Sequence, residues 1–343
     1  MSIIYIRIDQ MLILGIETSC DETAASVVKD GREVLSNVLY SQINEHKDWG
    51  GVIPEHASRL HYTKIHEIIN QALKEAQINY ETLDAIAVTT GPGLMGSLLI
   101  GVNAAQTLAW IHDKPLIPVD HLYAHICSNF LGTNLEAPFL CLLASGGHTQ
   151  IIELQDYDTM ITHGVSIDDA VGEAFDKTAR LMNLAYPGGP ELDKLAQSVS
   201  SRAEYKLPIP KVNDYNFSFS GLKTAVLRLK EKIGEEKFLK DKAKIAYAFQ
   251  ESVSETLIQK VEKFLENSSL KTIVIAGGVS ANSAIRKAFL ERFSTDKGFN
   301  CYLPKLSYCT DNAAMVAAAG YFKTQKLDIS EFKTLNLTVF PKH

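Results

Sequence analysis

Leu12-Ile13-Leu14-Gly15-Ile16-Glu17-Thr18-Ser19-Cys20-Asp21-Glu22-Thr23-Ala24-Ala25-Ser26-Val27-Val28 reads as a strand, a polar turn and a return strand. Leu12–Ile16 has the branched apolar residues of a buried strand. Glu17–Thr23 has the small and hydroxyl residues of a tight turn, and Ala24–Val28 leads back. The pattern returns far downstream, where Phe139–Ala144 meets Ser145-Gly146-Gly147-His148-Thr149 and then Gln150–Leu154. Two copies of one hairpin predict two duplicated lobes, each opened by its own hairpin.

The intervening sequence supports layers of helix and strand. Leu60, Ile65, Ile68, Ile69 and Leu73 recur at helical spacing and predict an amphipathic helix over Ser58–Ala76. A buried strand, Ala85–Thr89, then meets Gly91-Pro92-Gly93-Leu94-Met95-Gly96-Ser97, which opens a helix to about Trp110. Strand Pro115–Val119 leads into a helix carrying His121. In the second half, helices are predicted over Asp169–Met182, Gly221–Ile233 and Asp241–Leu265, with Tyr186-Pro187-Gly188-Gly189-Pro190 as a break. Thr272–Ala276 is a buried strand, and a helix follows from Asn282. Asn300–Leu303 is strand-like, and Asp311–Tyr321 is an Ala-rich helix with Asp311 near its N-cap. This alternation predicts an α/β chain. The expected lobes are 1–133 and 134–323, with 324–343 a tail packing back on the first. Two similar lobes offering their turns to a shared cleft are the arrangement of actin-like and sugar-kinase-like (ribonuclease-H-like) folds.

The chain has 343 residues, 46% hydrophobic and 22% charged, enough to bury a core in each lobe and too apolar for disorder. Its longest apolar run, near Leu98–Trp110, is interrupted by Gly101, Asn103 and Gln106, so no membrane span is expected. Met1–Gln10 resembles neither a secretory signal nor a transit peptide. Met11 is an alternative start, because a clean strand begins there. Five cysteines (Cys20, Cys127, Cys141, Cys301, Cys309), odd in number and without a C-x-x-C pair, predict reduced thiols in a cytoplasm. The formal net charge of −6 lacks the basic excess of a nucleic-acid binder. Any RNA contact must therefore be a local patch or be shared with partners. Lys223, Arg228, Lys230 and Lys232 form one candidate phosphate patch, or simply a solvated helix face.

Candidate chemistry starts at His121 and His125. At i, i+4 two imidazoles project from one helix face and can converge on one ion, although a lone pair of this kind is more often packing or surface than a ligand. A carboxylate at another helix start, Asp311, would complete a three-ligand site with open positions. Glycine turns are the second signal. Gly277-Gly278-Val279-Ser280-Ala281-Asn282 joins a strand to a helix N-terminus, where backbone N–H groups suit an anion and Asn282 a ribose or phosphate. Ser145–Thr149 has the same character, with His148 as a polar handle. Asp176 and Asp193 are candidate acceptors for a ribose or a threonine-like group. Each turn is equally readable as a tight connection that binds nothing, and each carboxylate as a solvated helix face. Neither the P-loop nor the G-x-G-x-x-G pattern is present.

Together these motifs are similar to those of the TsaD family of tRNA threonylcarbamoyladenosine synthases, almost end to end from Met11. The resemblance is carried by Gly15–Thr23, Gly50-Gly51-Val52-Ile53-Pro54-Glu55, Gly91–Leu99, His121–His125, Ser145–Thr149, Gly172–Lys177 and Tyr186–Pro190. Phe217-Ser218-Phe219-Ser220-Gly221-Leu222-Lys223-Thr224, Gly277–Asn282 and Asp311-Asn312-Ala313-Ala314 complete it. The departures are Ala144 where the family usually has valine, His56 where it has leucine, and the N-terminal extension. None removes a proposed ligand.

The resemblance implies a duplicated, two-lobed actin-like fold with the active site in the cleft between lobes. It implies transfer of a threonylcarbamoyl group from threonylcarbamoyl-AMP, made by a separate synthase. The acceptor would be the N6 amine of the adenosine 3′ of the anticodon in tRNAs reading codons that begin with A, and AMP would be released. It implies one divalent cation on His121, His125 and Asp311, iron(II) in the first instance, with zinc and manganese suited to the same donors. Ala144, Ser145, Gly146, Gly147, His148, Asp176, Gly189, Asp193 and Asn282 would bind the donor. A smaller TsaB-like paralogue and a TsaE-like ATPase would be its partners, with no membrane involved. Asp21 and Glu22, on the first hairpin turn, are candidate bases for the amine proton, or a polar turn that only caps the hairpin. A metalloprotease is the rival enzyme class, but His121-Leu122-Tyr123-Ala124-His125 lacks the glutamate of H-E-x-x-H. A small-molecule kinase on this fold would not need the His–His–Asp site. A nucleotide-binding scaffold is the non-enzyme alternative.

Overall fold

The computed structural model describes residues 10–202, 204–333 and 336–341, so all but the last residue of the extension Met1–Gln10 lies outside the described residues. In chain order, β1 (Leu12–Glu17), β2 (Glu22–Lys29) and β3 (Glu33–Ser41) precede the short α1 (Ile43–His46) and the long α2 (Pro54–Ala76). Then come β4 (Ala85–Gly91), α3 (Met95–Ile111), β5 (Leu116–Asp120) and α4 (His121–Cys127). The second half holds β6 (Phe139–Ala144), β7 (Thr149–Leu154), β8 (Met160–Val165), α5 (Val171–Leu181), α6 (Gly188–Gln197), α7 (Ser220–Ile233) and α8 (Glu235–Lys240). It ends with α9 (Lys242–Leu265), β9 (Thr272–Ala276), α10 (Ser283–Arg292), β10 (Asn300–Tyr302) and α11 (Ala313–Lys323).

The chain divides into two compact units. The first comprises the segments to Ser41, from Pro54 to Asn134 and from Asn312 onward; the second comprises Gln42–Ile53 and Leu135–Asp311. The two sheets have one topology. In the first the order is β3-β2-β1-β4-β5, in the second β8-β7-β6-β9-β10. In each, the opening hairpin is antiparallel, and its first strand pairs parallel with the strand that follows the crossover. The two quoted hairpins are thus equivalent elements of a repeated sheet.

In the first unit β4 is buried at every position, as expected of a parallel strand covered on both faces. Leu14, Ile16, Ile86 and Val88 pack with Ile65, Ile69 and Leu73 of α2 and with Val102 and Ala105 of α3. α11 returns to β1, and a Cβ at Gly15 would lie 2.3 Å from the Ala313 carbonyl oxygen and 2.6 Å from the Ala317 nitrogen. Only a residue without a side chain lets the helix sit there. Leu337 and Val339 also pack on this core, and the Phe340 N–H donates to the Thr90 carbonyl at 2.9 Å. This division differs from the expected lobes 1–133 and 134–323. α11 joins the first unit because its small residues close on β1, and Gln42–Ile53 joins the second.

The second unit is built around α9, whose Ile245, Phe249, Val253, Leu257 and Val261 are fully buried. Phe249 meets Phe175 of α5 edge to face at 5.2 Å, and burying each such ring stabilises the fold by about 1.5–3 kcal/mol. Five elements escape the sequence periodicity: β3, β8, α6 and the short helices α1 and α8. β3 and β8 are edge strands with mixed burial, whose pairing comes from a neighbour rather than from an apolar face of their own. α6 begins at the Gly188-Gly189-Pro190 predicted to be a break; proline is tolerated in a first turn, and Leu192 and Ala196 bury the helix.

Candidate active site

In the first unit β5 runs straight into α4. Asp120 caps the helix, its Oδ1 accepting from the Tyr123 N–H at 2.9 Å. The cap makes His121 the first helical residue, with His125 one turn further. The rings meet nearly edge to face, with centroids 4.7 Å apart, and His125 is buried. At α11 the N-cap is Asn312, not Asp311: the Asn312 Oδ1 accepts from the Met315 N–H at 3.0 Å. Asp311 therefore precedes the cap and is the residue at which the two units meet in the chain. One ligand atom each from His121, His125 and Asp311 lie within 4.8 Å of one another. Two imidazoles and a carboxylate gathered this closely are a donor set suited to a first-row divalent cation.

Glu17, at the end of β1, is fully buried beside this cluster. Its Oε1 accepts from the Ser19 N–H and its Oε2 from the Thr89 hydroxyl, each at 2.5 Å, and Oε2 lies 3.3 Å from His121 Nδ1. The turn after Glu17 is clamped by His61 of α2, whose ring nitrogens lie 2.8 Å from the Thr23 hydroxyl and 3.0 Å from the Cys20 carbonyl. Asp21 is buried on that turn. Glu22 is the first residue of β2 rather than part of the turn, and its Oε1 accepts from the Ser41 hydroxyl at 3.2 Å.

The second unit presents the other predicted turn at the ends of parallel β6 and β9, the usual ligand edge of an α/β sheet. Ser145 closes it: its N–H donates to the His148 carbonyl at 2.8 Å and its Oγ accepts from the His148 N–H at 3.1 Å. Gly277 lies against it with φ of 87°, and a Cβ there would stand 2.4 Å from the Ala144 carbonyl oxygen. Beside Gly146 and Gly147 a Cβ would meet nothing within 4 Å, so their backbone faces open space.

The remaining predicted residues are helix caps and ties. Asp176 Oδ1 accepts from the N–H groups of Gly188 (2.8 Å) and Gly189 (3.3 Å) at the start of α6. Burial pushes its carboxyl above the ordinary range, against those two donors, which lower it. Asn282 caps α10, its Oδ1 accepting from the Ile285 N–H at 3.0 Å. Asp193 accepts from Gln250, from Gln197 and from both the N–H and hydroxyl of Ser283. Its carboxylate is occupied with joining α6, α9 and α10. Asp193→Ala is expected to cost about 1–3 kcal/mol, read as a lower urea midpoint. An unchanged midpoint would show that these bonds do not hold the three helices.

A family model described as TsaD, tRNA N6-adenosine threonylcarbamoyltransferase, matches residues 33–318. The chain belongs to the TsaD family. A TsaD relative from Caldicellulosiruptor saccharolyticus, named tRNA N6-adenosine threonylcarbamoyltransferase, is 48% identical over 94% of this chain and 96% of its own length. One of the same name from Bacillus subtilis is 44% identical over 92% of this chain and 91% of its own. Among solved structures, T. kodakarensis HypF superposes with a TM-score of 0.63 at 16% identity, covering 95% of this chain and 50% of that one. That likeness concerns the fold alone, which is two-lobed and actin-like. As a TsaD member the chain is a transferase.

Of the basic patch on α7, Lys230 pairs with Glu235 at 2.7 Å and lies over the Phe238 ring. The patch is therefore partly neutralised. No helix among the described residues is long and apolar enough to cross a membrane.

Proposed function

We propose that this protein transfers the threonylcarbamoyl group of threonylcarbamoyl-AMP to the N6 amine of the adenosine 3′ of the anticodon in tRNAs reading codons that begin with A. The observation that carries this reading is the family match across residues 33–318. His121, His125 and Asp311 would hold one divalent cation, iron(II) in the first instance. Bound there, it supplies Lewis-acid polarisation and charge neutralisation.

The chain's own residues have three tasks. The backbone N–H groups of Gly146 and Gly147, at the open tip of the Ser145–His148 turn, bind the anionic part of the donor. Ala144, Gly189 and the Asn282 amide orient its nucleoside, and Asp176 and Asp193 brace the helices that carry them. The adenine amine then attacks the carbamoyl carbon, the bond from that carbon to the phosphate oxygen breaks, and AMP leaves. Asp21 takes the amine proton in this reading, because the Glu22 carboxylate is engaged by Ser41. A TsaB-like paralogue and a TsaE-like ATPase complete the system in the bacterial cytoplasm. Their surface supplies the tRNA contact that a chain of net charge −6 lacks.

The test supplies threonylcarbamoyl-AMP and unmodified tRNA to the protein with both partners and quantifies modified adenosine. Product is expected; its absence with competent donor, tRNA and partners would leave a nucleotide-binding scaffold. Asn282→Asp refines the reading. Aspartate still caps α10, but an anionic oxygen replaces the amide donor. We expect an unchanged thermal midpoint and a KM for the donor raised about 10–100-fold. An unchanged KM would remove Asn282 from the donor site.

A further inference from the structure

Glu17 makes one contact more than its turn requires. Its bonds from the Ser19 N–H and the Thr89 hydroxyl tie the hairpin turn to β4. Its approach to His121 Nδ1, at 3.3 Å, does something else. With Glu17 as a carboxylate, which only accepts hydrogen bonds, the hydrogen of this pair would sit on the imidazole nitrogen facing it. The Ser19 hydroxyl, 3.2 Å from the same nitrogen, can share that hydrogen as a second acceptor. The other ring nitrogen, Nε2, then keeps its lone pair.

We propose that Glu17 is a positioning residue for the metal centre. It holds His121 in the Nδ1–H tautomer, orients the ring and raises the basicity of Nε2, the atom that ligates the cation. The proposal rests on the cation reading given under Proposed function. Glu17, Ser19, Thr89 and His121 all belong to the first unit, on β1 and its turn, β4 and α4.

Glu17→Gln separates this role from a structural one. Glutamine has the same length and shape, its Oε1 can still accept from the Ser19 N–H, and its amide can donate to the Thr89 hydroxyl. At His121 the direction reverses: the amide donates to Nδ1 and moves the ring hydrogen to Nε2, where a ligand lone pair is needed. The experiment titrates metal-free full-length wild type, Glu17→Gln and His121→Ala with cobalt(II), followed by its absorption. The ring tautomer of His121 is read by nitrogen NMR without metal. We expect cobalt affinity about 10–100-fold weaker in Glu17→Gln, an unchanged thermal midpoint, and a ring hydrogen that moves from Nδ1 to Nε2. Equal affinity in wild type and Glu17→Gln, with binding lost in His121→Ala, would overturn the role of Glu17 and leave the cation reading standing. Wild type that takes up no cobalt would overturn both. A wild-type ring with its hydrogen on Nε2 would overturn the proposal without any variant, so a misfolded Glu17→Gln does not shelter it.

Discussion

His121→Ala is expected to slow threonylcarbamoyl transfer by about a thousandfold or more while leaving the protein folded. The magnitude follows from the chemistry: polarising an acyl carbonyl at a metal lowers the barrier by several kcal/mol, and each 1.36 kcal/mol is about tenfold in rate. With one of the three proposed ligands gone, His125 and Asp311 alone would be a weak site. The fold should survive because α4 is held elsewhere. Asp120 caps it, and Leu122, Tyr123, Ala124 and Ile126 bury it. Single-turnover formation of modified adenosine gives the rate, elemental analysis the metal content, and circular dichroism the fold. A rate equal to wild type in a metal-free His121→Ala protein would take the cation out of the reaction.

Gly15→Ala should have the largest effect on stability, and it should reach the proposed metal site as well. The added carbon would stand 2.3 Å from one main-chain atom of α11 and 2.6 Å from another. Main-chain atoms cannot turn aside as a side chain can, so the helix must move off β1, at a cost of about 3 kcal/mol. Asp311 immediately precedes the cap of that helix, so the displacement should weaken cobalt binding too. Gly146→Ala is the matched control, because nothing lies within 4 Å of its added carbon. The measurements are the urea midpoint and the cobalt affinity of both variants. If Gly15→Ala matches Gly146→Ala in both, the β1–α11 contact does not position Asp311.

Much of this was legible from local pattern. Residues 12–28 and 139–154 alternate apolar strand and polar turn over distances that a chain resolves by itself, and both hairpins form as read. The helical stripe of α2 and the buried strand β9 follow from spacing in the same way. His121 and His125 share a helix face because i, i+4 is a property of the helix itself. β3 and β8 were not legible, since an edge strand borrows its bonds from a neighbour.

The sequence by itself determined the repeated hairpins, the α/β class, the histidine pair and the glycine turns, all set by spacings of a few residues. Tertiary structure alone decided three things. It carried α11 back to β1 and so brought Asp311 to the histidines. It assigned the Asp193 carboxylate to holding three helices together. It set Glu17 under His121 across a separation that no periodicity spans. The reason is common to all three: a long-range contact depends on which faces remain after the local elements form, and burial and close packing, not spacing, make that choice.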